Sequence, residues 1–272
     1  MCRIQSVSII TCTSLLLGCV ILPILLLAES ADEMSTDVRE GIVYFAKGEL
    51  DNAIAKFTSA IEINPKDYLA YYQRAKLYEF RNEPEKAISD YSLLINSDAK
   101  PLLVNFSYYY RAVFYQQNNF LDEAIADYTK IIDVNFDKVP ILANAYNNRG
   151  LAYDRKGRFD LAVSDFGKAI ELMPKLINAH YNRGASYVNM GVTGYKLALA
   201  DFMQELGLNP RSFGAKHYRW AIIFLNQKDY YKSWNEVLTL MRGGERVSTT
   251  LMGDLKKLKA GQRFQFIGKI SN

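Results

Sequence analysis

Apolar and polar residues between Met34 and Val247 follow the pattern of amphipathic helices arranged in pairs. A small residue recurs along this stretch, and an aromatic residue follows each occurrence three positions later. A second small residue comes nine to eleven positions after that, and in five copies an aromatic follows it four positions on. Residues spaced by three or four lie on one face of a helix. The pattern therefore predicts two helices per copy. The first small residues are Gly41, Ala75, Ala112, Gly150, Gly184 and Ala221.

Helix-breaking residues fall between the predicted helices. Asn64-Pro65, Met173-Pro174 and Asn209-Pro210 close second helices, as proline is expected to do. Copies two and three lack this proline and are predicted to have longer joints, at Asp98–Pro101 and Lys138–Pro140. Copy five carries two extra residues, which are assigned to its internal turn around Gly191–Gly194.

Successive copies are 34 to 38 residues apart, and this periodicity decides the fold. The order small, aromatic, small, aromatic resembles the tetratricopeptide repeat family, and the resemblance covers about Met34 to Val247. A single helix pair cannot bury its apolar face alone, so stability must come from stacking. The resemblance implies an all-α, right-handed α-solenoid of about six helix-turn-helix repeats plus a C-terminal capping helix. The predicted repeats are residues 34–67, 68–101, 105–138, 143–176, 177–212 and 214–247.

The C-terminal region, 248–272, is predicted to be a capping helix with a basic tail. The helix is placed at Thr249–Lys259, with Ser248 or Thr249 as its N-cap. From Arg242 onward there are seven basic and two acidic residues. This region therefore has a net charge of +5, whereas the whole chain has a net charge of +4. A nucleic-acid-binding protein is expected to carry its basic residues along a face of the fold. A nucleic acid partner is therefore not predicted.

The first 30 residues are predicted to be a signal peptide or an N-terminal membrane anchor. Arg3 precedes an apolar run from Ile9 to Leu27, and Ala28-Glu29-Ser30 follows it. Three interpretations remain open. The segment is a cleaved secretory signal, an uncleaved membrane span, or a lipoprotein signal in which Cys19 is lipidated. Each interpretation places the rest of the chain outside the cytoplasm, as a periplasmic, secreted or membrane-anchored protein. Any attachment to the membrane is predicted to be through this segment alone.

The charges of paired helices change sign together. Arginine stands just before the first small position in copies two to five, and aspartate stands just before the second aromatic. Copy one instead has Glu40 and Lys56 at these two places. The joint exchange favours an ion pair between the helices of a repeat or with an adjoining repeat. The alternative is two independent, solvent-facing charges. The residues concerned are Arg74, Arg111, Arg149, Arg183, Asp90, Asp127, Asp165 and Asp201.

The sequence offers little for catalysis. All three cysteines lie at or before Cys19, and the two histidines, His180 and His217, replace tyrosines at equivalent repeat positions. They are interpreted as aromatic packing substitutes. The chain contains no phosphate-binding loop, dinucleotide fingerprint, nucleophile elbow or HExxH zinc motif. We therefore predict no enzyme activity, no cofactor and no metal.

The resemblance also implies a binding surface. In this family the first helices of successive repeats line a groove that holds extended peptides or a helix of a partner. Tyrosine and asparagine at these positions suit recognition of an extended chain. The alternative for the tyrosines is packing between repeats. The positions carried over are Tyr72, Tyr109, Asn147, Asn148, Tyr181, Asn182, Tyr218 and Arg219.

These observations predict a non-catalytic scaffold that binds a peptide or protein partner in the groove. Two alternatives stay open. The chain is a regulatory or assembly subunit of an envelope enzyme or of secretion or pilus machinery, or it self-associates as a homo-oligomer through its degraded sixth repeat, which has Ser233 and Val237 at packing positions.

Overall fold

The computed structural model of the protein describes residues 34–134 and 138–257, and these residues form helices and turns without a strand. They divide into two compact units, which meet in sequence between Phe120 and Leu121. The division falls within the predicted repeat 105–138, so its two helices belong to different units.

The described residues of unit 1 form five helices, and each packs against the next along the chain. Side-chain caps start two of them. Ser35 accepts a hydrogen bond from the backbone N–H of Val38, and Asp67 accepts one from Ala70. The helices are α1 Thr36–Ala46, α2 Leu50–Ile63, α3 Tyr68–Phe80, α4 Pro84–Ile95 and α5 Pro101–Gln117.

The described residues of unit 2 form seven further helices that pack in chain order, and an eighth begins at residue 249. They are α6 Leu121–Asp133, α7 Val139–Arg155, α8 Phe159–Leu172, α9 Ala179–Asn189, α10 Val192–Leu208, α11 Phe213–Asn226, α12 Tyr230–Arg242 and α13 249–257.

The predicted joints of copies two and three are wrong in their length. Pro101 begins α5, and Pro140 lies in the first turn of α7, so each helix begins before the predicted repeat start. Proline fits a first helical turn because its missing N–H would have no intrahelical partner there. The extra residues of copy five likewise lie within α10, which starts at Val192 directly after Gly191.

The turn within each helix pair contains a residue in the left-handed region. Glycine adopts this conformation without a steric penalty, and asparagine tolerates it. Lys228, with a φ of 60°, is the exception among these turns. The six residues are Gly48, Asn82, Asn119, Gly157, Gly191 and Lys228.

Small residues of the first helix pack against aromatic rings of the second. A Cβ atom added to Gly150 would lie 2.8 Å from Cε1 of Phe166, and one added to Gly184 would lie 2.8 Å from Cε1 of Phe202. Gly41 has the same relation to Phe57, at 2.6 Å. Glycine stands opposite phenylalanine in these three copies, whereas alanine accompanies tyrosine or valine in the others. The ring of phenylalanine thus fills the place that a methyl group would need.

Two glycines of one repeat are expected to respond in opposite ways to substitution by alanine. Gly167→Ala should raise the free energy of unfolding by roughly 0.5–1 kcal/mol, because its nearest neighbour is 3.7 Å away and alanine favours the helix. Gly150→Ala should lower it, because displacing Phe166 costs about 1–3 kcal/mol. Chemical denaturation of both variants checks the prediction. Stabilisation by Gly150→Ala would contradict the packing.

The predicted ion pair within a repeat is confirmed in four copies. Arg149 donates to both oxygens of Asp165, from Nε and Nη2, at 2.8 Å each. Arg74 binds Asp90 and Arg183 binds Asp201 in the same two-pronged way. In copy one, Nζ of Lys56 lies 2.5 Å from Oε2 of Glu40.

The arginine network extends further than the sequence pattern indicates. Arg74 Nη1 also donates to the hydroxyl of Thr58 at 3.1 Å, and Arg149 Nη1 donates to that of Thr129 at 2.9 Å. Both hydroxyl residues follow the second-helix aromatic of the preceding repeat. Arg149 also lies 5.7 Å from the ring centres of Tyr146 and Tyr153. The guanidinium groups of Arg74 and Arg149 therefore each tie two repeats together.

The N-terminal predictions, including lipidation of Cys19, and the basic tail after residue 257 lie outside the described residues. Among the helices of residues 34–134 and 138–257, none has the length and apolar character needed to cross a membrane.

Candidate functional site

The predicted groove residues of unit 1 belong mainly to an aromatic cluster. Tyr72 is only 1% exposed, and its ring centre lies 6.2 Å from that of Tyr91 and 6.0 Å from that of Tyr110. Tyr109 is half-buried and stands edge-on to Tyr110 at 5.3 Å. Tyr72 therefore packs between helices, as the alternative interpretation held, and it offers no surface to a partner in this structure.

Asparagine side chains on α7 and α9 form a short hydrogen-bonded chain in unit 2. Asn182 Nδ2 donates to Asn147 Oδ1 at 3.1 Å, and Asn147 Nδ2 donates to Asn148 Oδ1 at 3.3 Å. An amide has two donors and two acceptor lone pairs, so these two bonds do not use its full capacity. The structure thus brings three predicted residues together.

A cleft of about 490 Å³ lies beside this asparagine chain. Helices α7 and α9, the start of α11 and the side chain of Glu245 line it. Its lining is largely polar and carries one arginine. The principal residues are Asn147, Asn178, Tyr181, Asn182, Arg211 and Glu245.

A second cleft, of about 260 Å³, shares residues with the first. Tyr181, Asn182 and Glu245 line both clefts, and Tyr218 joins the lining of the second. The Tyr181 hydroxyl donates to Glu245 Oε2 at 2.8 Å where the two clefts adjoin. Gly214 makes room for this tyrosine, because an added Cβ atom would lie 2.7 Å from its ring. We call the two clefts together the unit 2 groove.

Of the last two predicted groove residues, Tyr218 lines the second cleft but is almost fully buried, and Arg219 is partly buried. Tyr218 is 1% exposed and stacks on Phe202, with the ring centres 5.4 Å apart. Burial raises the pKa of Tyr218 to about 12, so its hydroxyl stays protonated at neutral pH. Arg219 lies 4.9 Å from the ring of Trp220, and its Nε is buried without a hydrogen bond among the described residues. Neither residue presents a simple open surface.

The chain itself covers Tyr218. Residues 245–248 follow α12 without regular structure, and the carbonyl of Arg246 accepts a hydrogen bond from the Tyr218 hydroxyl at 2.9 Å. The backbone N–H of Ser248 donates to the same hydroxyl at 3.0 Å. The sequence pattern of the repeats contained no signal for this contact, because it lies outside the repeated positions.

Helix α13 starts at the predicted place and folds back onto unit 2. Ser248 is its N-cap, since Oγ accepts from the backbone N–H of Leu251 at 3.2 Å. Leu251 and Leu255 are buried in the same cluster as Val188 and Leu225. Thr250 donates to the carbonyl of Asn189 at 3.0 Å. The helix thus packs on residues of α9 and α11.

Glu205 is a buried acid at a repeat position that is apolar in the other copies. Glu205 is 0% exposed, and neither of its carboxylate oxygens has a hydrogen bond of normal geometry within the described residues. Burial raises the pKa of Glu205, and the nearby N–H groups of Tyr181 and Asn178 oppose this only in part. The equivalent residues are Ala60, Leu94, Ile131, Ala169 and Leu240.

Glu205→Gln is expected to change how stability depends on pH. A carboxyl with a raised folded-state pKa stabilises the fold below pH 4.5, and this contribution is lost as the pH rises. Glutamine resembles the protonated form, so the variant should be more stable than the wild type at pH 7, with the difference shrinking towards pH 5. Denaturation across this pH range measures it. The exposed Glu171→Gln is the control, and an equal response of both variants would contradict the burial argument.

The histidines take part in the charge network as well as in packing. His180 Nδ1 lies 3.2 Å from Asp201 Oδ1, beside Arg183, and His217 Nδ1 lies 2.6 Å from Glu236 Oε2. His217 also packs on Phe213, with the ring centres 4.4 Å apart. Within residues 34–134 and 138–257, no group of three or more histidine, cysteine or acidic residues could hold a metal ion.

Comparison with known proteins shows the same repeat in several places. Family models described as "Tetratricopeptide repeat" match residues 68–101 and 143–176, and one described as "TPR repeat" matches residues 41–79. The chain is 29% identical over 204 residues to "Tetratricopeptide repeat protein 6" of Homo sapiens, which covers 72% of the chain and 38% of that protein. It is 48% identical over 52 residues to "Tetratricopeptide repeat protein 36" of Caenorhabditis elegans, which covers 19% of the chain and 29% of that protein. The chain thus spans less than two fifths of these relatives.

Solved structures share the fold at low sequence identity. MamA is 22% identical with a TM-score of 0.56, covering 65% of this chain and 96% of that one. YrrB, a TPR protein with an unusual peptide-binding site, is 18% identical with a TM-score of 0.57, covering 69% and 92%. A protein from Parabacteroides merdae is 17% identical with a TM-score of 0.60, covering 84% and 86%. The prediction of an all-α tetratricopeptide repeat solenoid is confirmed. The chain therefore contains tetratricopeptide repeats, which the family models match at residues 41–101 and 143–176.

Proposed function

We propose that the protein is a non-catalytic scaffold that binds a peptide or protein partner in the unit 2 groove. The observation that carries this proposal is the chain of amide side chains from Asn182 to Asn147 along a cleft of about 490 Å³. Amides can donate to and accept from the backbone of an extended chain. The peptide-binding site of the structurally similar YrrB supports the same class of function.

Loss of a partner on changing the asparagines tests the proposal. Immobilised wild-type chain is exposed to an extract of the source cells, in parallel with the double variant Asn147→Ala/Asn182→Ala. The control is Lys168→Ala/Glu171→Ala, which removes an exposed ion pair on α8. We expect the wild type and the control to retain one partner protein and the asparagine variant to lose at least nine tenths of it. Equal retention of the partner by the wild type, the asparagine variant and the control would refute binding in the unit 2 groove.

The identity of the retained protein separates the alternatives. A stoichiometric enzyme would favour a regulatory or assembly subunit of envelope, secretion or pilus machinery. Recovery of the chain itself alone would favour self-association. The exposed Tyr231, near the start of α12, gives the second alternative an apolar contact residue.

We also propose that the protein acts outside the cytoplasm, attached through or released from its N-terminal segment. The apolar run Ile9–Leu27 after Arg3 supports this location. N-terminal sequencing of the native protein, together with a lipid-labelling assay, tests it. A mature chain starting near Ala31 supports cleavage, and labelling that is lost in Cys19→Ser supports a lipid anchor. An intact, unlabelled chain in the cytoplasm would contradict the proposal.

A further inference from the structure

The segment between α12 and α13 has no regular secondary structure and lines the unit 2 groove. Gly243 and Gly244 lead into it, and Gly244 has a φ of 80°. Glu245 lines both clefts, and residues 246–248 line the second. The segment therefore forms part of the wall of the groove.

Tyrosine hydroxyls bind this segment mostly through hydrogen bonds to its backbone. The Tyr218 hydroxyl donates to the carbonyl of Arg246 and accepts from the N–H of Ser248. Any residue type at position 246, and any except proline at position 248, could supply the same carbonyl and N–H groups. Tyr181 adds a side-chain contact, because its hydroxyl donates to the carboxylate of Glu245. These contacts are the kind that would hold an extended peptide with one acidic residue.

Two apolar residues on its C-terminal side anchor the segment. Leu251 and Leu255 lie four residues apart on α13 and are buried beside Val188 and Leu225. The Tyr195 hydroxyl also donates to Asp254 at 2.7 Å. An acidic residue, a backbone segment without regular structure, a serine N-cap and two leucines thus form one continuous binding element.

We propose that residues 245–255 occupy in cis a peptide site of unit 2, and that the partner of this site is a peptide of the same chemistry. Such a peptide carries an acidic residue three positions before a helix N-cap, and leucines follow at the third and seventh positions of the new helix. This inference rests on the proposed function and adds the class of partner and the need to displace the segment.

A labelled peptide tests the inference directly. The probe is a synthetic peptide with the sequence of residues 244–257, added to the full chain and followed by fluorescence anisotropy. Glu245→Ala/Leu251→Ala loosens the segment in cis while leaving the receptor residues Tyr181 and Tyr218 unchanged. Lys256→Ala/Lys257→Ala changes exposed residues of the same segment and serves as the control.

We expect the loosened variant to bind the peptide at least tenfold more tightly than the wild type and the control. Adding Tyr218→Phe to the loosened variant should reverse most of this gain. Equal binding by the loosened variant and the wild type, or no binding by either, would overturn the inference. Circular dichroism verifies that the loosened variant keeps its helices.

Hydrogen exchange gives a second readout that does not require the peptide to bind. The amide of Ser248 should exchange slowly in the wild type and much faster in the loosened variant. Exchange in the wild type at the rate of an unstructured chain would also overturn the inference. Retention of a cellular partner through Asn147 and Asn182 would be unaffected by either failure, so the two proposals can fail separately.

Discussion

Replacing Phe166 by alanine is expected to lower the free energy of unfolding of unit 2 by about 3–5 kcal/mol. The ring is 0% exposed and fills the space opposite Gly150. Removing it leaves a cavity that the two helices cannot close, because α7 and α8 are also held by the ion pair of Arg149. Tryptophan fluorescence reports on this unit alone, because the two tryptophans, Trp220 and Trp234, both lie in it.

Val163→Ala on the same helix is the matched control for Phe166→Ala. Val163 is only partly buried, so the loss of its two methyl groups should cost much less. Similar losses for the two variants in urea denaturation would show that the aromatic position has no special part in holding the helix pair together.

Replacing Asp165 by alanine is expected to cost about 3 kcal/mol. The side chains of Arg149 and Asp165 are 15% and 7% exposed, so the variant leaves a largely buried guanidinium without its carboxylate. The exposed pair of Lys168 and Glu171 lies on the same helix, and Glu171→Ala should cost less than about 1 kcal/mol. Thermal or urea denaturation of the two variants gives the comparison.

Exchanging the two charges separates pairing from independent effects. Arg149→Asp/Asp165→Arg should be more stable than the sum of its two single variants predicts, because opposite charges again face each other. Restoration stays partial, since Arg149 also bonds Thr129 and lies beside Tyr146 and Tyr153. Strictly additive losses in the free energy of unfolding would show that Arg149 and Asp165 do not stabilise the fold as an ion pair.

The repeated helices could be predicted because one local rule acts in every copy. The spacing of small and aromatic residues sets which faces of the two helices meet, as the contact of Gly150 with Phe166 shows. The exchange of signs at Glu40 and Lys56 likewise identified the paired charges, because two charges that bind each other can change only together.

Features that occur once could not be predicted in this way. The return of residues 245–248 over Tyr218 depends on contacts between positions 28 and 30 residues apart that no repeat supplies. The early starts of α5 and α7 differ from the prediction because proline, which ends helices elsewhere in the chain, also fits a first helical turn.

Two further features of the structure have a signal in the sequence. Glu205 occupies a position that is apolar in every other copy, and this alone marks it as unusual. The hydroxyl residues Thr58 and Thr129 follow the second aromatic of their repeats, and they bind the arginine of the next repeat. Both features are visible at equivalent positions of the repeated copies.

Site-specific photo-crosslinking tests most directly whether the unit 2 groove binds a partner. A photoreactive benzoylphenylalanine is placed at Leu151, which lines both clefts and leaves the asparagines unchanged, or at the exposed Lys168 on α8. Irradiation in an extract of the source cells should join one partner protein to the chain from position 151 and not from position 168. Crosslinks to the same protein from both positions, or from position 168 alone, would contradict the account.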